Sequence, residues 1–168
     1  LEDITYYIGG NNLVTNSEDL TQWEFGFQTG GSATTNSVNF GTSPQSRLFN
    51  YVNSNSGQII TMSCTFSQSD VGKYVRLGFF DNDWDFGSNL LIPSDGFVSR
   101  TFTPTGNLQA VGLVQAVGYQ NTNLTLADNL GVQVEEGSLS NYEATRGITT
   151  IPATYQLPNG EISKVIMK

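Results

Sequence analysis

The sequence predicts an all-β protein built as a two-sheet β-sandwich. Only 13% of its 168 residues are charged, against about 25% in an ordinary domain. Asn, Ser, Thr, Gln and Gly supply the polarity instead, and strong helix formers are scarce. Short apolar runs also recur between turn residues at a spacing of roughly 8 to 12 residues, which is typical of jelly-roll or immunoglobulin-like sandwiches.

The first strands are predicted from alternating apolar residues. Trp23, Phe25 and Phe27 recur at every second position, so we expect all three to face the core. The stretch from Gln28 to Asn39 is rich in Gly, Thr and Asn. It is expected to be a loop or a weak edge strand, and it resembles a hairpin region more than an interdomain linker. Residues 46–52, SRLFNYV, predict the next strand.

Two strands in the middle of the chain alternate most clearly. Their predicted core faces are Ile60, Met62, Cys64 and Phe66 in the first strand and Val75, Leu77 and Phe79 in the second. The single cysteine in this pattern is expected to act as a small buried hydrophobe. Residues 88–92 and 97–103 are predicted as short strands around the turn Pro93-Ser94-Asp95-Gly96.

The apolar run LQAVGLVQAVGY, from Leu108, is either a helix or a central strand. Its valines and its glycines, Gly112 and Gly118, favour the strand. NTNLTLADN and LGVQVEE then predict the closing strands, with Val132 and Val134 in the core.

Three parts of the chain are expected. Residues 1–11 form an extended N-terminal arm, residues 12–142 the sandwich domain, and residues 143–168 a C-terminal arm. Pro152 and Pro158 favour extended structure in that arm, and Pro158-Asn159-Gly160 predicts a turn in a terminal hairpin. Because an isolated hairpin is marginal in water, we expect the sandwich or a neighbouring chain to hold it.

Composition excludes several classes of function. The net charge of −8 argues against nucleic acid, which is bound through Lys and Arg, and against an anionic membrane surface. No apolar run has the length of a membrane span and no signal peptide is visible. The chain starts without Met, as a processed product or a fragment would.

Catalysis is not expected. The chain has no histidine, which removes the usual general base and every Ser-His or Cys-His arrangement. A glycosidase needs only two carboxylates at roughly 5 to 10 Å, but no pair among the fifteen acids is marked by its sequence context. We therefore predict no enzyme and no required cofactor.

The acidic loop DNDWDFG carries Asp81, Asp83 and Asp85 at the spacing that opens an EF-hand loop. Phe86 stands where that loop needs Gly, and Ile92 stands where it needs Glu. The loop is therefore expected to be solvated rather than to bind calcium.

Trp84 in this loop is the strongest candidate for sugar binding. A pyranose stacks on an exposed aromatic face flanked by amides or carboxylates, and Asn82 and Asp83 precede Trp84. Tyr74 and Tyr119 are further candidates for the same surface. The alternative is that Trp84 folds back and plugs one end of the sandwich.

Two motifs at the ends of the predicted domain carry a resemblance. NNLVTNSEDLTQW resembles the N-L-L-x-x-S-E-x-F-x-x-W opening of modules in bacteriophage tail, fibre and other virion structural proteins, although Leu20 replaces the usual aromatic. VQVEEGSLSNYEATRG resembles their closing Q-x-E-x-G-x-x-x-x-x-Y-x-x-T, with Tyr142 and Thr145 in place. These modules are similar in layout to jelly-roll carbohydrate-binding modules.

The resemblance implies a non-enzymatic bacteriophage virion protein of a fibre, tail or capsid decoration. Its arms would assemble with other virion proteins or with further copies, for example as a trimer, and its surface could attach to a host glycan. The alternative is a glycan-binding module of a secreted bacterial protein. The resemblance also implies a structural calcium ion held by Glu18 and Asp128, with Asp19 as a neighbour.

Overall fold

The computed structural model describes residues 4–7, 12–27, 29–137 and 148–151. This part of the chain is nearly all β-structure, with two short 3-10 helices at Leu20–Gln22 and Gln68–Asp70. No helix in it is long and apolar enough to cross a membrane. The strands are β1 Ile4–Tyr7, β2 Glu24–Gly26, β3 Ser32–Ala33, β4 Ser37–Asn39, β5 Arg47–Ser54, β6 Ile60–Thr65, β7 Tyr74–Phe80, β8 Trp84–Asp85, β9 Leu90–Leu91, β10 Phe97–Phe102, β11 Leu108–Gln115, β12 Asn123–Thr125, β13 Gln133–Glu136 and β14 Ile148–Ile151.

Two antiparallel sheets form the sandwich. The larger has the order β2-β5-β11-β7-β8, with β9 also paired to β7, and the smaller has the order β10-β6-β13. A third sheet, β12-β4-β3, is joined to the end of β6 by the bridge between Phe66 and Leu126. The all-β sandwich predicted from composition and turn spacing is therefore confirmed.

The core lies between the inner faces of the two main sheets. β7 contributes Val75, Leu77 and Phe79 from the large sheet, and β6 contributes Ile60, Met62 and Cys64 from the small one; all belong to one buried cluster. The predicted core faces of both strands are confirmed, as are Val132 and Val134. Burial raises the pKa of the Cys64 thiol, so this thiol is unreactive.

The apolar run from Leu108 forms β11, which pairs with β5 on one side and β7 on the other. The strand predicted for this run is therefore confirmed. Valines and glycines suit a central strand that has a neighbouring strand on each edge. The stretch before residue 39, expected as a loop or a weak edge strand, contains the short paired strands β3 and β4, and β3 lies at the edge of its sheet.

The prediction for Phe27 is wrong. Trp23 is buried and Phe25 packs against the core, but the ring of Phe27 is 67% exposed. Its backbone φ of 53° leaves the extended conformation, so the alternation ends after Phe25. A positive φ is strained for a bulky residue, and residues strained in this way cluster at functional sites.

Parts of both predicted arms pair with each other. β1 and β14 form a two-stranded antiparallel ribbon in which Ile4 lies opposite Ile151 and Tyr7 opposite Ile148. The domain boundary at residue 142, the motif residues Tyr142 and Thr145, and the terminal hairpin lie outside the described residues. The division into domain and arms stays a prediction.

The alternation along β7 predicts the effect of truncating its central residue. Leu77→Ala should lower the free energy of unfolding by about 2 to 5 kcal/mol, because it leaves a cavity in a fully buried site. Urea unfolding followed by fluorescence measures this. The matched change Leu91→Ala, at a side chain that is 53% exposed, should have a much smaller effect; equal losses would contradict the assigned core.

Candidate functional site

The outer face of the large sheet carries an unusual number of aromatic side chains. Strand register places its residues in three cross-strand rows: Tyr51-Ala110-Phe80-Trp84, Glu24-Phe49-Gly112-Gly78 and Gly26-Arg47-Val114-Arg76. We call the surface formed by Phe27, Arg47, Phe49, Tyr51, Arg76, Phe80, Trp84 and Phe86 the aromatic face. It lies on the side of the sheet opposite to the core.

Trp84 lies on this face and not at an end of the sandwich. Gly78 and Gly112 are direct cross-strand partners, and their missing side chains leave room for the indole. A Cβ at Gly78 would lie 3.3 Å from Cε3 of Trp84, and one at Gly112 would lie 3.5 Å from its Cη2. The ring centres of Phe49 and Phe80 are 5.8 and 5.4 Å from that of Trp84, so the indole is held from several sides.

Two rings of the aromatic face are open to solvent. Phe27 is 67% and Tyr51 59% exposed, whereas Trp84 is half-buried. The hydroxyl of Tyr51 donates a hydrogen bond to Glu24 at 3.2 Å. The negative charge of Glu24 raises the pKa of Tyr51, so the phenol stays neutral at ordinary pH.

Arg47 lies among the rings. Its guanidinium carbon is 4.6 Å from the ring centre of Phe27, 4.7 Å from that of Trp84 and 5.4 Å from that of Phe86. These distances are typical of cation–π contacts. The side chain is 7% exposed, and burial lowers its pKa, although an arginine stays protonated in proteins.

Asp81 positions the turn that leads into Trp84. One carboxylate oxygen accepts a hydrogen bond from the Asn82 N–H at 2.6 Å. The other accepts bonds from the N–H and hydroxyl of Thr105 and from the N–H of Gly106. These bonds hold the pKa of Asp81 well below its usual range, and they tie the turn after β7 to the turn before β11.

Asp85 fixes the other side of Trp84. Its carboxylate pairs with Arg100 at 2.5 Å, and Arg100 also donates to the backbone carbonyls of Leu77 and Asp85. Within the described residues, Asp83 accepts a single hydrogen bond, from the N–H of Trp84. The three acids of the loop thus have separate partners, and no group of three or more acidic, Cys or His side chains in the described part of the chain is arranged to hold a metal.

The remaining predicted sugar-site residues fall into two groups. Asn82 and Asp83 are exposed beside Trp84, and the amide of Asn82 lies against Gly106. Tyr74 and Tyr119 stack on each other with ring centres 5.3 Å apart. Tyr74 is four residues along β7 from Gly78, about 13 Å at the rise of a strand, so this pair is separate from the rings around Trp84.

Glu18 and Asp128 line one cavity of about 270 Å³, together with Asn36 and Asn129. Two carboxylates and two amides are oxygen ligands of the kind that calcium prefers. The residue types therefore fit the calcium ion implied by the sequence resemblance. Two carboxylates, those of Glu18 and Asp128, would supply the negative charge.

Sequence analysis missed most of the aromatic face. In SRLFNYV the face opposite to Leu48 and Val52 carries Arg47, Phe49 and Tyr51. That second alternation was a usable signal, because a strand with aromatic residues on its outer face needs a cover or a ligand. The role of Phe86 had no sequence signal, since it depends on how the loop folds back.

Replacing Asp81 should loosen the support of this site. Asp81→Asn puts an amide where a carboxylate oxygen accepts several hydrogen bonds, so we expect a loss of about 1.5 to 3 kcal/mol in the free energy of unfolding near neutral pH. The pKa of Asp81 is depressed in the folded state. The extra free energy of unfolding of the native chain over the variant is therefore fully present above the unfolded-state pKa of about 3.9, and it declines as the pH falls below that value. Urea unfolding from pH 7 to pH 2 measures this. Asp83→Asn, with one hydrogen bond at stake, should change little. A stability difference between the native chain and Asp81→Asn that is as large at pH 2 as at pH 7 would contradict the assignment.

Comparison with protein families found no match for this sequence. No curated protein matches it either. Among solved structures, the chain is similar to the N-terminal cellulose-binding domain of β-1,4-glucanase C from Cellulomonas fimi, with 14% identity, a TM-score of 0.46, and coverage of 77% of this chain and 98% of that one. Similarity of this degree establishes neither a family nor a ligand, and the resemblance to virion modules rests on the two motifs alone.

Proposed function

We propose that the protein is a glycan-binding module and that the aromatic face is its binding surface. The observation that carries the proposal is the pair of exposed rings, Phe27 and Tyr51, which are connected to the held indole of Trp84 through Arg47 and Phe49 respectively. A face of this kind offers the C–H surfaces of a pyranose a place to stack. Large exposed aromatic groups on one sheet also mark an interaction surface more often than a free one.

Polar groups at the border of the face suit sugar hydroxyls. Glu24 offers carboxylate oxygens beside Tyr51, and Asn82 and Asp83 are exposed next to Trp84. Because Trp84 packs into a gap left by two glycines, the indole is in place before ligand binds, which limits the entropy lost on binding.

We propose that this surface binds without catalysis. The acids nearest the rings already have partners: Glu24 accepts from the Tyr51 hydroxyl, Asp83 accepts from the Trp84 N–H, and Asp85 pairs with Arg100. A glycosidase needs one carboxyl group as an acid and another as a base or nucleophile across the scissile bond. We infer that none of the three serves as the acid or the base of such a pair.

A place in a bacteriophage particle stays a prediction from the two sequence motifs. The contacts of the described residues favour no virion partner, and β1 and β14 pair with each other. A glycan-binding module of a secreted bacterial protein therefore accounts for the aromatic face more directly, since the face itself is the functional feature.

Truncating an exposed ring should weaken glycan binding. Tyr51→Ala removes a ring that is 59% exposed and should reduce affinity roughly fivefold to tenfold, the effect of one aromatic contact. Affinity electrophoresis against a panel of soluble plant and bacterial polysaccharides measures it. Tyr119→Ala makes the same change at a ring that is 45% exposed but lies apart from Trp84, and it should leave affinity unchanged. Failure of the native chain to bind any member of a broad panel would contradict the proposed function.

We also propose that Glu18 and Asp128 hold a structural calcium ion, which would join the loop before β2 to the loop before β13. If so, EDTA should lower the melting temperature, because a ligand that binds only the folded state stabilises it. Differential scanning calorimetry with EDTA and with excess calcium measures this. In the variant Asp128→Asn the calcium-dependent shift should shrink. An identical melting curve with and without EDTA would rule the ion out.

A further inference from the structure

Cations in the described part of the chain divide into two kinds. Lys73 and Arg100 each pair with a carboxylate, Asp70 and Asp85 respectively. Arg47 and Arg76 have no carboxylate partner among the described residues, although both are buried. A buried charge ordinarily has a partner of opposite charge. Two buried arginines without a carboxylate partner therefore need an explanation, especially in a chain of net charge −8.

The two arginines belong to the aromatic face. They occupy the same cross-strand row, on either side of Val114. Their guanidinium carbons lie 5.4 and 5.1 Å from the centre of the same ring, Phe86. Two positive charges are thus concentrated at one place on the proposed binding surface, and an anion there would relieve their mutual repulsion.

Arg47 also keeps unused hydrogen-bond donors. A guanidinium has five N–H groups, but the only protein acceptor for Arg47 in the described residues is the carbonyl of Gln45, 3.3 Å from Nη1. Its Nε is buried without any acceptor. By contrast, Arg76 donates through Nε to the Gln115 carbonyl at 2.8 Å and through Nη2 to the Pro44 carbonyl at 2.9 Å. Arg47 is therefore the arginine with capacity for a ligand.

Access to Arg47 depends on Phe27. Of the three rings around the guanidinium, only that of Phe27 is mostly exposed. An exposed side chain changes rotamer on the picosecond to nanosecond scale, so this ring can swing aside while Trp84 and Phe86 stay in place. An arginine stacked on aromatic rings can still use the edge of its guanidinium to bind a carboxylate or a tetrahedral oxyanion through two parallel hydrogen bonds.

We propose that the aromatic face prefers a glycan whose sugar units carry an anionic group, a uronate carboxylate or a sulfate ester, which Arg47 binds with Arg76 as a second positive charge. This inference rests on the proposed function, because the rings must hold the sugar while the guanidinium reads the anion. The aromatic rings alone would not select an anionic glycan over a neutral one.

The test compares the affinity of the unmodified protein for polygalacturonate and alginate, which carry carboxylates, for dextran sulfate, and for neutral hydroxyethylcellulose. We expect at least tenfold tighter binding to one anionic class, lost as NaCl rises from about 20 to about 500 mM. The protein itself carries a net charge of −8, so non-specific electrostatic repulsion from these polyanions works against the expected result and not for it. Carboxylate and sulfate polymers identify which anion is bound.

Variants assign the effect to Arg47. Arg47→Met keeps a long apolar side chain in the cluster and should lose the preference for the anionic polymer, with a tenfold or greater drop in affinity. Arg47→Lys keeps the charge but not the bidentate geometry, and it should retain only part of the preference. Lys73→Met removes the same charge outside the face and should retain all of it. Circular dichroism establishes that each variant is folded.

The outcomes separate the two proposals. Binding to hydroxyethylcellulose as tight as to every anionic polymer would overturn the anionic preference and leave the glycan-binding function standing. An anionic preference that survives in folded Arg47→Met would overturn the role of Arg47. No binding to any polymer would overturn the function and the preference together.

Discussion

The packing of the Trp84 indole against Gly78 and Gly112 is the contact on which the outer face of the large sheet depends. The two glycines are cross-strand partners on β7 and β11, the central strands of that sheet. Because the two glycines have no side chains, they leave a gap across two neighbouring strands, and the indole fills this gap on the outer face of the sheet. Phe49, Phe80, Phe86 and Arg47 then pack around the indole. A Cβ at Gly78 would lie 2.9 Å from Val114 and 3.3 Å from both Phe86 and Trp84, so a side chain there would disturb these contacts.

The two faces of strand β7 have different roles. Its inner residues are core hydrophobes, and its outer residues, Arg76, Gly78 and Phe80, belong to the surface that we propose for binding. Both ends of the loop that follows are fixed, one by the hydrogen bonds of Asp81 and the other by the pair of Asp85 and Arg100. The acids of this loop therefore serve to position an aromatic ring, which explains why they do not converge on a metal.

Charge and hydrophobicity are distributed unevenly in this chain. The protein is acidic overall, yet the two buried arginines without carboxylate partners both lie on the aromatic face. Stacking between rings stabilises a guanidinium without neutralising it. A surface built in this way can contact the apolar face of a sugar and an anionic substituent at the same time, which a purely aromatic platform cannot do.

The sequence alone determined the fold class, most strands and the buried faces of β6 and β7, because these follow from a period of two in apolar residues and from turn chemistry. It also singled out Trp84. It could not show that Phe27 leaves the core pattern, since that depends on one positive φ, or that Tyr74 and Tyr119 lie apart from Trp84, since that depends on register. Only the tertiary structure brought Arg47, Phe86 and the two glycines together, because residues far apart in sequence become neighbours through the pairing of β5, β11 and β7, which no local pattern encodes.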